Sequence, residues 1–102
     1  MIAIYLDVKN REIVREVISI GTLTANLVHP REIFEPAIKN LACGIILIHN
    51  HPSEETEPSN EDIKVTKQLI EAGKIMGIKI LDHLIVAKSS FYSFEEHNLL
   101  TL

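Results

Sequence analysis

Six consecutive apolar residues, Cys43-Gly44-Ile45-Ile46-Leu47-Ile48, run straight into His49-Asn50-His51-Pro52. A run this uniform is expected as a central strand covered on both faces, since a strand with one wet face would alternate. Whatever else the chain does, it must wrap a core around this strand and leave two histidines at the strand's carboxyl end. Cys43, the only cysteine, reads as a small core residue of that strand and is given no catalytic role. A lone cysteine forms no internal disulfide, so a reducing, cytoplasmic compartment is expected.

The flanking sequence supplies the partners of this strand. Ile2 to Leu6 and Ile13 to Ile20 are β-rich runs separated by the turn residues Asp7 to Arg11, which predicts an opening hairpin. Gly21-Thr22 breaks the second strand, and Leu23 to Val28 fits either strand or loop. Pro30 suits a first helical turn, and Ile33, Phe34, Ala37, Ile38 and Leu41 share one helical face, so a helix is expected to about Asn40. Pro36 either kinks that helix or moves its start towards Glu32 or Ile33. A second helix is predicted from Asn60 to Met76, with Ser59 as its cap, Gly77 as its stop, and Ile63, Thr66, Leu69, Ile70, Gly73 and Met76 on its inner face. Ile78 to Ala87 and Phe91 to Phe94 read as two further strands. The order implies an α/β fold, a mixed sheet flanked by helices.

The chain's 102 residues suit one domain. Its net charge of -4 and pI near 5.7 provide no positive field for a phosphate backbone, so direct nucleic-acid binding is disfavoured. No apolar run approaches the ~20 residues of a membrane span, and Met1 to Leu6 lacks a basic leader, so a soluble protein is expected.

The chemistry concentrates after the apolar run. Residues two apart on a strand point the same way, so His49 and His51 can present both imidazoles to one point. The polar loop that follows turns back through Pro58 into Ser59-Asn60-Glu61-Asp62. Asp62 then falls in the first helical turn and offers a third ligand. Two neutral imidazoles and one carboxylate are a common catalytic zinc set, leaving a fourth position for water of lowered pKa. Ser59 and Asp62 alone fit a helix capping box, and a histidine pair alone is often a polar loop. The combination, with Ser59 and Asp62 eight and eleven residues after His51, points to a metal site.

With that spacing, His49-Asn50-His51-Pro52-Ser53 through Pro58-Ser59-x-x-Asp62 resembles the JAMM motif of JAB/MPN+ metallohydrolases. Gly21-Thr22-Leu23, His29-Pro30-Arg31-Glu32 and Leu81-Asp82-His83 resemble RadC proteins in particular. The resemblance spans nearly the whole chain and implies a JAB/MPN domain, similar to cytidine deaminases, over residues 1–102 without the usual N-terminal extension. It further implies zinc on His49, His51 and Asp62, with Ser59 steadying a tetrahedral intermediate during peptide or isopeptide hydrolysis. In RadC-like sequences the general-base glutamate lies just before the first strand, about two residues ahead of Met1 here. Glu32, Glu35, Glu54, Glu55 and Glu57 are weak substitutes for it, because a base must reach its proton within hydrogen-bond distance. His83, inside an apolar strand, reads as a satisfied core histidine rather than a fourth ligand, and His29 and His97 have no partner in sequence. Deaminase chemistry would need a His-x-Glu and a Pro-Cys-x-x-Cys pair, which one cysteine cannot supply. The remaining alternative is a non-catalytic, zinc-containing binding module, linked by family name to DNA repair.

Overall fold

The computed structural model describes residues 1–18, 28–51 and 54–100. The end of the predicted second strand (19–20), the Gly21-Thr22-Leu23 segment and most of the ambiguous 23–28 stretch, and the Pro52-Ser53 part of the motif lie outside the described residues.

Five strands form one mixed sheet in the order β2-β1-β3-β4-β5, where β1 is Ile2–Leu6, β2 Glu12–Val17, β3 Gly44–Asn50, β4 Lys79–Val86 and β5 Phe91–Ser93. β1 pairs antiparallel with β2 as the expected hairpin and with β3 on its other side, whereas β3 and β4 run parallel. The apolar run is therefore the middle strand. Helix α1, Pro30–Lys39, bridges β2 and β3, and α2, Asn60–Met76, makes the crossover from β3 to β4.

Alternate residues of the strands, Ala3, Tyr5, Ile45, Leu47 and Ile80, form one cluster with Ile33, Phe34 and Ala37 of α1 and Val65, Leu69 and Ile70 of α2. The Tyr5 hydroxyl donates to the Ile33 carbonyl and ties α1 to β1. This places the deep core on one face of the sheet and corrects the expectation of a strand covered on both faces. Ile46 and Ile48, on the other face, are only half-buried. Cys43 is also corrected. It is exposed because β3 begins one residue later, so that Cys43 sits in the bend entering the sheet rather than in its core.

Both helices keep their predicted extents, with local exceptions on their faces. α1 starts at Pro30 and carries Pro36 in its interior without a later start. Leu41 adopts a positive φ of 52° just after the helix, which turns its side chain outward to 84% exposure, and Ile38 is 58% exposed. α2 runs from Asn60 to Met76 as predicted, but its buried face is Asp62, Val65, Thr66, Leu69, Ile70 and Gly73, leaving Ile63 half-buried and Met76 exposed. Gly77 ends it in the left-handed region (φ 71°), where the missing Cβ removes the steric cost.

Candidate metal centre

β3 carries His49 on the same side as Ile45 and Leu47, at the edge of the core, where it is buried. His51 leaves the strand but stays in register through its N–H, which donates to the Val86 carbonyl at 3.0 Å. α2 brings the third group. Ser59 caps the helix by accepting the Asp62 N–H on its hydroxyl at 3.1 Å, while Asp62 Oδ2 accepts the Ser59 N–H at 2.7 Å. The capping box is thus real, and it does not compete with the metal reading. It holds the Asp62 carboxylate, 2% exposed, facing both imidazoles.

Asp62 Oδ1 lies 3.3 Å from His49 Nε2, and Oδ2 lies 3.2 Å from His51 Nε2. One ligand atom from each of His49, His51 and Asp62 falls within 4.8 Å of the others, so the three could hold a metal ion. The other ring nitrogens are engaged behind the site. His51 Nδ1 donates to the Glu55 carbonyl at 3.0 Å. His49 Nδ1 is 2.7 Å from Nε2 of His83, whose own Nδ1 meets the Thr66 hydroxyl.

These partners fix what faces the carboxylate. His51, donating from Nδ1 to a carbonyl, turns its Nε2 towards an anion, and so does His49 wherever its Nδ1 donates to His83; with both Nε2 lone pairs bare, such an arrangement requires positive charge between them. A proton would serve His51, whose Nε2 is aligned with Asp62 Oδ2. It would not serve His49, because its buried Nε2 has no hydrogen-bond partner. A buried, orphaned nitrogen beside a carboxylate is the signature of an atom meant for a cation, and the donor set of two imidazoles and one carboxylate fits a transition metal.

Burial alone would raise the Asp62 carboxyl, but a positively charged His49 beside it and the Ser59 N–H on Oδ2 outweigh that, holding it ionised well below the usual carboxylate range. With His49 neutral and its Nε2 bare, the Ser59 N–H remains and a bound cation would have to take the place of the charged ring. Burial, reinforced by the neighbouring His49, lowers the pKa of His83 to about 3, so that ring is neutral. His83 is fully buried and stacks on Phe94 with centroids 4.5 Å apart. Asp82 secures this stack by accepting the Ser93 hydroxyl and the Glu95 N–H, which fold the chain after β5 across β4.

His83 is, as expected, a core histidine and not a ligand. What sequence reasoning missed is that its partners are His49 and Thr66. The only signal was the Leu81-Asp82-His83 triplet, which says nothing about a residue 34 positions away. His29 and His97 lie away from the group, His97 bonding to the Ser93 carbonyl. Glu32, Glu35, Glu54, Glu55 and Glu57 are exposed, and among the described residues Asp62 is the one carboxylate of the metal group.

A family model described as a RadC-like JAB domain matches residues 1–99. A UPF0758 protein of Methanococcoides burtonii is 50% identical over 99 residues, covering 97% of this chain and 43% of that protein. UPF0758 proteins of Geobacillus sp. (strain WCH70) and Protochlamydia amoebophila are 55% and 50% identical over 95 and 98 residues, each match covering 42% of the relative. The chain belongs to the RadC-like JAB domain family. It spans less than half the length of these curated relatives.

Proposed function

We propose that this chain holds a zinc ion on His49, His51 and Asp62 and forms the metal-binding part of a hydrolase acting on peptide or isopeptide bonds. The observation that carries this reading is the orphaned His49 Nε2, buried against an ionised carboxylate and matched by a second imidazole. When bound, zinc would supply a water of lowered pKa and a Lewis acid for a carbonyl oxygen. The chain's own residues set the stage. Asp62 neutralises part of the charge, and the capping box keeps its orientation fixed. The Ser59 hydroxyl, having accepted the Asp62 N–H, retains its own proton to donate to an oxyanion at the mouth of the site.

A general base is the remaining requirement, and extending the sheet register supports one position for it. Ile2 lies opposite Ile48 in the antiparallel β1–β3 pair, so Met1 falls opposite His49. Continued by the same register, a residue two places ahead of Met1 falls opposite His51, on the face that carries the imidazoles. That is where the resemblance to RadC proteins places the glutamate. The second reading, a zinc-containing binding module without catalysis, is favoured by the single carboxylate of the described metal group, which is already spent as a ligand.

Metal analysis of the purified chain tests the first step. About one zinc per chain is expected, most of it lost in His51→Ala. Full occupancy after that substitution would remove the site assignment. Hydrolysis of peptide and isopeptide substrates by the zinc-loaded chain, with and without a glutamate-bearing extension ahead of Met1, separates the hydrolase from the binding module.

A further inference from the structure

Behind the metal group runs a line of three buried side chains that no ligand assignment uses. The Thr66 hydroxyl donates to the Asp62 carbonyl one helical turn earlier, at 2.8 Å. Having one proton, it can meet His83 Nδ1 only as an acceptor, so His83 carries its hydrogen on Nδ1. Fully buried and stacked on Phe94, with its one hydrogen placed on Nδ1, the His83 ring offers a bare Nε2, which accepts from His49 Nδ1 at 2.7 Å. His49 is left with its lone pair on Nε2, the atom that faces Asp62. The first step is the Thr66 hydroxyl's donation to the Asp62 carbonyl, and the others follow from it by counting protons. The line also starts and ends on the same residue, since Asp62 contributes its carbonyl at one end and its carboxylate at the other.

We propose that Thr66 and His83 are positioning residues that lock His49 in the tautomer able to bind a metal ion through Nε2. This rests on the zinc reading for its purpose but on hydrogen-bond direction for its content. His83 holds the ring at the correct angle from a site between Phe94 and α2, and Thr66 sets the direction of the whole line. Without the Thr66 hydroxyl, His83 has no fixed acceptor for its Nδ1 proton. His83 can then take the other tautomer and donate to His49, which pushes the His49 proton onto Nε2 and blocks the ligand atom.

The test uses the full 102-residue chain. Imidazole ¹H–¹⁵N correlation spectra of the metal-free protein assign the tautomer of His49, and competition with a chromophoric chelator gives the affinity for zinc ion. Wild type is expected to carry the His49 proton on Nδ1. Thr66→Val is expected to give a mixed His49 tautomer and zinc affinity lower by roughly 10- to 100-fold, the usual cost of losing such a partner, while Thr66→Ser recovers both. A merely structural role for Thr66 would lower the thermal midpoint without moving the tautomer. An Nε2 proton on His49 in the wild type, or unchanged tautomer and zinc affinity in Thr66→Val, overturns the proposal and leaves the zinc reading intact. If wild type binds no zinc, that reading falls, and the metal-free tautomer still decides the positioning role. If Thr66→Val does not fold, the wild-type spectrum and Thr66→Ser decide it in the same way.

Discussion

Asp62 serves two masters, a helix terminus and a metal group, and the two can be pulled apart by one atom. Asparagine keeps an oxygen for the Ser59 N–H but replaces the anion with an amide that can donate to a bare Nε2. Asp62→Asn is therefore expected to weaken zinc binding strongly while the metal-free chain folds as well as before, or more stably by about 1 kcal/mol through the new hydrogen bond. Thermal unfolding with and without chelator checks this, and a large loss of stability in the metal-free chain would show that the carboxylate's role is structural. His49, His51, Ser59 and Asp62 were legible in the sequence because β-strand alternation and a capping signature act over a few residues, and local rules report local geometry. His83 and Thr66 were not. Their meaning lies in a hydrogen-bond line joining β3, α2 and β4, and nothing in the periodicity of any one element encodes it.

Helix α2 delivers Asp62, and its two ends make opposite demands. At the start, Ser59→Ala removes the hydroxyl that accepts the Asp62 N–H, and should cost about 1 kcal/mol of stability with the zinc content retained. Denaturant unfolding and metal analysis on the same preparation separate the two effects. At the other end, Gly73 packs so closely against the link from α2 into β4 that an added Cβ would lie 2.2 Å from the Ile78 carbonyl oxygen. Alanine usually stabilises a helix relative to glycine, but here the sign reverses, and Gly73→Ala should destabilise by about 1–3 kcal/mol, read from the shift in denaturant midpoint. The extents of α1 and α2 were legible because Pro30 marks the start of one and Ser59 and Gly77 cap the other. Which side chains of each face are buried was less so, since Ile38, Leu41 and Met76 are apolar in the right phase but remain exposed. Cys43 fails for the same reason, as an apolar run does not say at which residue its strand enters the sheet.

At the scale of the whole molecule, the sheet gathers the chain's first residue, the end of β3 and the start of α2 in one place, which sets the expectation for the proposed hydrolysis. Among the described residues, His49, His51 and Asp62 could hold a metal ion, and no second carboxylate stands in that group. The zinc-loaded 102-residue chain is thus expected to hydrolyse peptides or isopeptides poorly, and an extension carrying a glutamate two places ahead of Met1 to raise the rate by roughly 10²- to 10⁴-fold. Steady-state rates of the two chains make the comparison, and equal rates would show that proton transfer is handled elsewhere. The α/β class, the opening hairpin and the central place of the apolar run were foreseeable, but the strand order and the one-sided core were not, because hydrophobicity counts apolar residues without saying which strands pair or which face a helix will cover. The β1–β3 register also bears on how such a protein is handled at the bench. A histidine purification tag fused ahead of Met1 would feed its imidazoles along β3 to the mouth of the metal group, and its metal stoichiometry would count the tag as well as the protein. A tag placed after Leu102 removes that route along β1.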